Sequence, residues 1–414
     1  MPKTWLNIPQ DSDFSIHNLP FGVFSTKENP RHRIGIAIGK YILDLSITEG
    51  VGFFSDLNFN KKTLHEDVLN PFISEGKTAW RDLRNRVQEL FAEGFEGRKT
   101  IENECLVPQS DAEMHLPVKI GDYTDFYSSE QHATNVGRMF RDPNNALLPN
   151  WKHLPVAYHG RASSIKISGT NFHRPKGQFK ISENEPPIFS ATNALDFELE
   201  MAAIIGKSNA LGDAISVKEA NDFVFGFVIF NDWSARDIQR WEAVPLGPFL
   251  GKNFFSSISP WVVTMDALEP FKVAGEKQTP SVLAYLQTID NQHFNVELEV
   301  SIQPQNGKET IISKTNFKNM YWNIAQQIAH HTVNGCNLNV GDILASGTIS
   351  GETNDSFGSM LELTFNGQHP LSISDNLTRK FVEDGDTITM HAHAENGNVR
   401  VGFGEVRNTV LVAK

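Results

Sequence analysis

Short apolar runs separated by polar residues, glycine and proline dominate the sequence and predict a strand-rich protein. Phe21 to Ser25 is a predicted strand, and Arg33 to Gly39 alternates isoleucine with glycine or alanine, which is the period of two that a strand requires. Lys40 to Leu45 follows closely enough to complete a hairpin. Apolar residues then recur on one face of a predicted helix between Trp80 and Phe91. We therefore expect a small β-rich module with helical additions at the start of the chain.

The rest of the chain predicts many strands and few helices. The clearest strand candidates are Phe197 to Ile205, Phe223 to Phe230, Asn295 to Ile302, Met360 to Phe365 and Thr387 to Ala392. The clearest helix is Trp322 to His331, which ends near Asn334 and Gly335, a pair suited to a left-handed cap. A more polar stretch between Pro108 and Pro117 separates the two regions, so the expected domains are residues 1–117 and 118–414.

The composition is that of a globular protein and disfavours several classes of function. With 40% hydrophobic and 21% charged residues among 414, the chain can bury a large core. A net charge of −12 makes nucleic acid a poor partner, because an acidic surface repels phosphates. No run approaches the ~20 apolar residues of a membrane helix, and the N-terminus lacks the pattern of a signal peptide. The two cysteines fit reduced thiols, so we expect a cytoplasmic protein without a membrane partner.

Acidic residues near strand ends supply candidate metal ligands. Glu198 and Glu200 are two residues apart on a predicted strand and so share a face. Two such carboxylates repel each other unless a cation lies between them, and their hard oxygens suit Mg²⁺, Ca²⁺ or Mn²⁺. Asp232 follows a buried-looking run, and Asp125 is a further candidate. Taken alone, the pair Glu198 and Glu200 is more typical of a solvated strand face, and Asp232 and Asp125 are also compatible with a helix N-cap and a turn.

One histidine and three polar residues complete the candidate chemistry. His132 follows Ser128, which can cap a helix with Gln131 in a capping-box pattern. A histidine can accept a proton near neutral pH and so activate water. Arg236, Gln239 and Lys252 follow Asp232, and together such groups bind carboxylates or an oxyanion. Each of these residues is also compatible with a structural or surface position.

Long ordered motifs make the sequence similar to the fumarylacetoacetate hydrolase family over nearly its whole length. The motifs are Asn18 to Ser25, Gly121 to Ser129, Gln131 to Gly137, Tyr158 to Ser164, Asn231 to Gln239, Pro245 to Lys252, Ala345 to Gly351 and Phe357 to Leu363. The resemblance implies hydrolysis of the carbon–carbon bond of fumarylacetoacetate, giving fumarate and acetoacetate at the end of tyrosine and phenylalanine breakdown. It also implies an α+β, mainly β fold with an SH3-like N-terminal barrel and a mixed β-roll catalytic domain, a homodimer, and bound Mg²⁺ or Ca²⁺.

The resemblance also assigns roles to individual residues. The implied metal ligands are Asp125, Glu198, Glu200 and Asp232, with Lys252 and Ser256 at positions near a magnesium site. An ammonium group cannot ligate a cation, so Lys252 would have to act through its backbone carbonyl. The implied water-activating pair is His132, as general base, with Glu362, which orients it. The implied oxyanion-stabilising groups are Arg236, Gln239 and Lys252, and the implied substrate-binding residues are Tyr127, Arg141, Tyr158 and Thr348.

The sequence departs from the animal members of the family at three positions. Ala243 stands where tyrosine is frequent, Ser256 replaces a threonine, and Phe255 replaces a small residue. These changes affect the expected shape of the pocket and leave the chemistry intact. The alternatives are another β-diketone hydrolase of the superfamily, such as an acylpyruvate hydrolase, and a catalytically silent metal-binding scaffold. The extended N-terminal match and the presence of both His132 and Glu362 argue against them.

Overall fold

Strands are the main elements in the part of the chain that the structure describes. This computed structural model describes residues 4–288, 292–373, 377–397 and 399–414. Its strands are β1 (Phe21–Thr26), β2 (Arg33–Ile38), β3 (Tyr41–Asp44), β4 (Leu106–Pro108), β5 (Ala112–His115), β6 (Tyr123–Phe126), β7 (Ala157–His159), β8 (Ile165–Ile167), β9 (Phe172–His173), β10 (Lys176–Phe179), β11 (Ile188–Ala191), β12 (Leu195–Asp196), β13 (Leu199–Ile205), β14 (Val224–Asn231), β15 (Ser234–Ala235), β16 (Ser256–Ile258), β17 (Val263–Thr264), β18 (Lys272–Val273), β19 (His293–Phe294), β20 (Glu297–Gln303), β21 (Thr310–Asn316), β22 (Ile343–Ala345), β23 (Leu371–Ser372), β24 (Thr378–Arg379), β25 (Thr387–Asn396) and β26 (Val399–Leu411).

Helices are shorter and connect or cover the sheets. They are α1 (Leu45–Gly50), α2 (Asn70–Ile73), α3 (Lys77–Leu90), α4 (Arg98–Thr100), α5 (Glu130–Phe140), α6 (Arg236–Glu242), α7 (Met265–Leu268), α8 (Ile324–Thr332) and α9 (Met360–Leu363). The predicted amphipathic helix between Trp80 and Phe91 is confirmed as α3, and the predicted helix Trp322 to His331 is confirmed as α8. Asn323 caps α8 in a full capping box with Gln326, and Gly335 beyond its end has φ of 90°.

Three larger sheets organise the molecule. The N-terminal sheet is antiparallel and has the order β4-β3-β2-β1-β5, which confirms the predicted strands and hairpin. The second sheet has the order β7-β6-β22-β13-β14-β16-β8, and β17 also pairs with β14. The third has the order β21-β20-β25-β26-β9. The second sheet is mixed, since β22 pairs with β6 in parallel and with β13 in antiparallel fashion, and the fold is α+β with sheets in the majority.

The prediction of a strand over Met360 to Phe365 was wrong. These residues begin with the helical turn α9, because Ser359 accepts the amide of Glu362 and the buried side chain of Asp196 accepts the amides of Met360 and Leu361. Partners on a remote segment therefore satisfy the first amides of the turn. The other four strand predictions correspond to β13, β14, β20 and β25.

The N-terminal sheet and the second sheet share one hydrophobic core. Phe21 from β1, Phe72 from α2 and Phe225 from β14 lie in the same buried cluster, and the rings of Phe72 and Phe225 each lie 5.5 Å from that of Phe21. Backbone hydrogen bonds also join Phe21 and Val262 in both directions. The stretch before residue 117 is thus packed directly onto the sheet that carries the candidate site. Within the described residues, no helix combines the length and apolar character needed to cross a bilayer.

Candidate active site

One cavity of about 620 Å³ collects most of the candidate residues. Its lining includes Asp125, Tyr127, His132, Tyr158, Glu198, Glu200, Arg236, Gln239, Ala243, Lys252 and Thr348. Strands β6, β7 and β13, helices α5 and α6 and the loop after β22 therefore contribute to one site. Asp232 and Glu362 lie behind this lining and contact it through hydrogen bonds, and Ser256 in turn donates to Asp232.

His132 and Glu362 form a buried pair that leaves one ring nitrogen for chemistry. His132 Nδ1 lies 2.6 Å from Glu362 Oε2, and both side chains are almost fully buried. The residue that caps α5 is Ser129, whose hydroxyl accepts the amide of His132 at 3.2 Å. The predicted cap, Ser128, instead accepts a hydrogen bond from Gln327. Because Nδ1 faces Glu362, Nε2 is the nitrogen left to accept a proton on the cavity side.

Three further side chains hold Glu362 as a carboxylate. Asn135 donates to Oε1 at 2.9 Å, Ser359 donates to Oε2 at 2.8 Å, and Ser350 lies within 3.0 Å of both oxygens. Burial alone would raise the pKa of Glu362, but His132 and these donors outweigh it and lower that pKa. An ionised Glu362 fixes the Nδ1–H tautomer of His132. Our sequence analysis missed these three residues, although Ser359 and Glu362 match the S-x-x-E pattern of a capping box.

Asp125, Glu200 and Asp232 form an acidic triad that converges from β6, β13 and the end of β14. Each offers one oxygen, and these oxygens all lie within 4.8 Å of one another. The parallel pairing of Ala345 with Asp125 and the hydrogen bond from the Gly347 amide to Glu200 at 3.0 Å fix the two carboxylates side by side. The turn and N-cap alternatives for Asp125 and Asp232 are thereby replaced by buried positions in the second sheet, on β6 and directly after β14.

The triad has the properties of a cation site. Asp125 Oδ1 and Glu200 Oε1 are buried and accept no hydrogen bond from the described residues. Burial, reinforced by the neighbouring carboxylates, raises the pKa of both Asp125 and Glu200 well above the usual range. Orphaned oxygens and crowded negative charge are what a hard divalent ion would satisfy, so the residues present fit such an ion.

Glu198 differs from the triad because two cations neutralise it. It lines the same cavity as Glu200, which confirms that the two share a face. Its Oε1 lies 2.7 Å from Arg236, and its Oε2 pairs with Lys252. Burial would raise the pKa of Glu198, but Lys252 and Arg236 outweigh burial and lower that pKa to about 2. Whether Glu198 also ligates a metal stays a prediction.

Lys252, which pairs with Glu198, and Tyr158 both contact the triad residue Asp232. Lys252 Nζ lies 2.6 Å from Asp232 Oδ2, and Tyr158 donates to the same oxygen at 2.7 Å. Ser256 donates to Asp232 Oδ1 at 3.1 Å. Burial disfavours the charge of Lys252, yet Asp232 and Glu198 raise its pKa overall, so it remains an ammonium. The site therefore holds buried groups of both signs in contact, and the carboxylates compensate the charge of Lys252 without water.

Tyr127 lines the cavity, whereas Arg141 and Phe255 do not. Tyr127 packs its ring edge-on to His132, with ring centroids 5.2 Å apart. Arg141 is exposed and donates to the Ala146 carbonyl, and it is not one of the cavity-lining residues. Phe255 is buried and stacks on Phe172, with centroids 4.4 Å apart, so it fills space outside the cavity lining.

Phe140 and Arg240 are among the lining residues that our sequence predictions did not name. The Arg240 guanidinium lies 4.9 Å from the centre of the Phe140 ring. Arg240 directly follows the Asn231 to Gln239 motif on α6 and lies one helical turn before Ala243, which caps that helix. Continuing the helix of the motif by one residue would have included Arg240.

Family models cover most of the chain in two consecutive stretches. The model described as fumarylacetoacetase N-terminal matches residues 17–117, and the model described as fumarylacetoacetate hydrolase C-terminal matches residues 122–411. Among known proteins, the fumarylacetoacetase of Homo sapiens is 49% identical over 418 residues, covering 99% of each chain. The fumarylacetoacetase of Dictyostelium discoideum is 48% identical over 419 residues, covering 99% of this chain and 98% of its own.

Solved structures show the same fold at lower identity. The fumarylacetoacetate hydrolase from Exiguobacterium antarcticum has a TM-score of 0.54 and 17% identity, with 95% of this chain and 99% of that chain covered. At that identity the likeness concerns the fold alone. The two family matches and the full-length relatives show more: this chain is a member of the fumarylacetoacetate hydrolase family.

Proposed function

We propose that the protein hydrolyses a carbon–carbon bond of 4-fumarylacetoacetate and releases fumarate and acetoacetate, the last step of tyrosine and phenylalanine catabolism. The relatives named fumarylacetoacetase, matched end to end, support the substrate. The observation that carries the proposal is the buried His132–Glu362 pair, which opens on the same cavity as Asp125 and Glu200. That arrangement places a base for water next to a site for a Lewis acid.

Water activation falls to His132. Glu362 accepts the Nδ1 proton and so orients the ring, and Nε2 takes a proton from water as the oxygen attacks the carbonyl beside the fumaryl group. The carbon–carbon bond then breaks, and its electron pair passes to the acetoacetate part as an enolate. The proton held on Nε2 balances the step by returning to the enolate carbon.

Cationic and amide donors would stabilise the negative charge that develops. Arg236, Gln239 and Lys252 line the cavity beside His132. Arg236 Nη2 is buried and lies 2.8 Å from Asp196 Oδ2, but it makes no well-directed hydrogen bond within the described residues, so it retains donor capacity for an oxyanion. A well-placed donor of this kind contributes about 3–4 kcal/mol to transition-state stability. The proposed substrate-binding residues are Tyr127, Arg141, Tyr158 and Thr348.

A divalent ion would be held by Asp125, Glu200 and Asp232, with Glu198 as the fourth carboxylate and with Lys252, through its carbonyl, and Ser256 nearby. When bound, Mg²⁺ or Ca²⁺ supplies Lewis-acid polarisation of the diketone oxygens. The orphaned oxygens of Asp125 and Glu200 support this assignment.

Several coarser features are part of the same proposal. We place the domains at residues 1–117 and 118–414, the first with SH3-like topology and the second with the β-roll of the family. The two family matches, which end and begin on either side of this boundary, support the division.

We also propose a cytoplasmic homodimer. Val244, Leu246 and Phe249 are exposed to 85%, 97% and 64%, and such a run of exposed apolar residues supports an association surface.

The test is the loss of fumarylacetoacetate in the presence of purified protein, before and after chelation and with Mg²⁺ or Ca²⁺ added back. Turnover that chelation stops and metal restores supports the substrate and the acidic site together. His132→Ala should lower kcat by about 10²–10⁴-fold without unfolding the protein. His153→Ala, an exposed histidine, is the control and should leave kcat unchanged.

Two outcomes contradict the proposal. Near-normal turnover in folded His132→Ala removes His132 as the base. No loss of fumarylacetoacetate from folded wild-type protein with either metal overturns the substrate. Acylpyruvates assayed in parallel then separate another β-diketone hydrolase from a silent scaffold.

A further inference from the structure

Asp196 is a fully buried carboxylate that lies between Arg236 and the turn α9, and the proposed reaction steps assign it no role. It belongs to β12, which pairs with β15, so that Asp196 lies opposite Ser234. Its side chain contacts Arg236 on one side and the turn α9 on the other. Arg236 is a proposed oxyanion donor, and α9 carries Glu362, the partner of His132.

The contacts with Arg236 fix the direction of the guanidinium. Arg236 Nε donates to Asp196 Oδ2 at 2.8 Å, and Nη2 lies 2.8 Å from the same oxygen. The opposite edge of the guanidinium is tied to Glu198, which lies 2.7 Å from Nη1. An arginine held on both edges by carboxylates has little freedom to rotate, so its remaining donor points in one direction.

The contacts with α9 fix the position of Glu362. The amides of Met360 and Leu361 donate to the two oxygens of Asp196 at 2.7 and 3.0 Å. These are first-turn amides of a four-residue helix, which has no turn before it to satisfy them. Without Asp196 they would be buried without a partner, and the turn would lose the restraint that places Glu362 against His132.

We propose that Asp196 is a positioning residue that couples the oxyanion donor Arg236 to the base-orienting turn α9 by sharing one carboxylate between them. Because the single carboxylate of Asp196 binds both elements, it sets the distance between the base His132 and the anion-stabilising Arg236. This inference rests on the proposed function, because it gives Arg236 and Glu362 the roles described above. A misplacement of about 1 Å between such groups can cost roughly 10²-fold in rate.

The test uses Asp196→Asn in the full-length protein. The amide retains one acceptor oxygen but presents an NH₂ group to Arg236 or to the Met360 amide, so one of the two links is lost. We expect kcat to fall by about 10- to 100-fold, with a smaller change in KM.

Asp342→Asn is the matched control. Asp342 is also buried and also accepts two backbone amides, those of Asp122 and Asn339, at 2.9 and 2.8 Å. It does not line the cavity. It should lose stability of the same order while kcat changes by less than about twofold. Equal losses of kcat in the two variants would overturn the proposal.

A double-mutant cycle separates positioning from general damage. If Asp196 acts through Arg236 and Glu362, the loss of kcat in the double variants Asp196→Asn/Arg236→Lys and Asp196→Asn/Glu362→Gln should be much smaller than the product of the losses in the two single variants. Multiplicative effects in both cycles would contradict the coupling.

A readout without substrate keeps this inference distinct from the proposed function. The 2.6 Å contact between His132 Nδ1 and Glu362 should give a far-downfield proton resonance, assigned by its absence in His132→Ala. Asp196→Asn should shift or broaden that resonance, and Asp342→Asn should not. If wild-type protein cleaves no fumarylacetoacetate but the resonance responds as stated, the substrate assignment fails and the positioning role stands. An unchanged resonance in Asp196→Asn overturns the positioning role.

Discussion

At the residue scale, the site is governed by which buried carboxylates are neutralised by protein cations and which are not. Glu198 has Arg236 and Lys252 as partners, and its pKa falls to about 2. Glu200 has a backbone amide on one oxygen and nothing on the other among the described residues, and its pKa rises well above the usual range. The pKa values of these two glutamates, which are two residues apart on the same face, are thus shifted in opposite directions in the metal-free protein.

Proton release on metal binding follows from this difference. The raised pKa values of Asp125 and Glu200 favour their protonated forms in the metal-free protein, and a cation must displace the protons that these carboxyl groups hold. Calorimetric titration with Mg²⁺ in two buffers of different ionisation enthalpy should therefore show protons released. Glu200→Gln should weaken binding and reduce the number of protons released. The exposed Glu102→Gln is the control. Unchanged Mg²⁺ affinity in Glu200→Gln would remove Glu200 from the ligand set.

The sign of the pH effect on stability is set by the same two groups. A carboxyl whose folded pKa is raised stabilises the fold fully below its unfolded pKa, and that contribution disappears as the pH rises through the folded pKa. The contribution of Asp125 and Glu200 to the stability of chelated protein should thus decrease as the pH rises from about 4 upward. A bound cation opposes this trend because it compensates the ionised carboxylates.

At the element scale, the four-residue turn α9 shows how a short element can be held in place by side chains. Ser359 accepts the Glu362 amide and also donates to the Glu362 carboxylate at 2.8 Å. Asp196 takes the two preceding amides. A turn of this length has too few internal hydrogen bonds to be stable alone, so its geometry depends on these external partners.

Ser359→Ala should affect both stability and rate. Losing the cap costs about 1 kcal/mol, and releasing one Glu362 oxygen should lower kcat. Asn323→Ala is the control, since Asn323 caps α8 and does not line the cavity. Denaturant unfolding should show similar losses for the two variants, whereas kcat should fall only in Ser359→Ala. A normal kcat in Ser359→Ala would show that the other partners of Glu362 are sufficient.

At the scale of the whole molecule, the shared core makes the N-terminal sheet part of the structure that supports the active site. Phe21, Phe72 and Phe225 belong to one buried cluster, which also contains Phe230, the strand residue two positions before Asp232. The two stretches matched by separate family models therefore depend on each other for burial of apolar surface.

Calorimetry of the full-length protein should accordingly show a single unfolding transition. Phe21→Ala removes a fully buried ring and should cost about 3–5 kcal/mol, which lowers the midpoint of that whole transition. Phe189→Ala is the control, because Phe189 is 72% exposed. Two separate transitions, with only one shifted by Phe21→Ala, would show that the N-terminal part unfolds independently.

The sequence by itself determined the helices α3 and α8, the inventory of reactive side chains and seven of the described strands, which are β1, β2, β3, β13, β14, β20 and β25. Alternation and amphipathic spacing depend on neighbouring residues, so they can be recognised without the fold. The motifs around Asp125, His132, Asp232 and Glu362 also identified the family. Even where a local pattern was present, as at Ser129, a competing candidate one residue away made the cap ambiguous.

Only the tertiary structure decided which side chains meet. Asp125, Glu200 and Asp232 come from different strands, and Glu362 is 230 positions from His132 along the chain. Residue spacing carries information within one element but none on contacts between elements. The helical form of Met360–Leu363 had the same origin, because its amides are satisfied by Asp196, a side chain from a remote strand whose own position depends on the packed sheets.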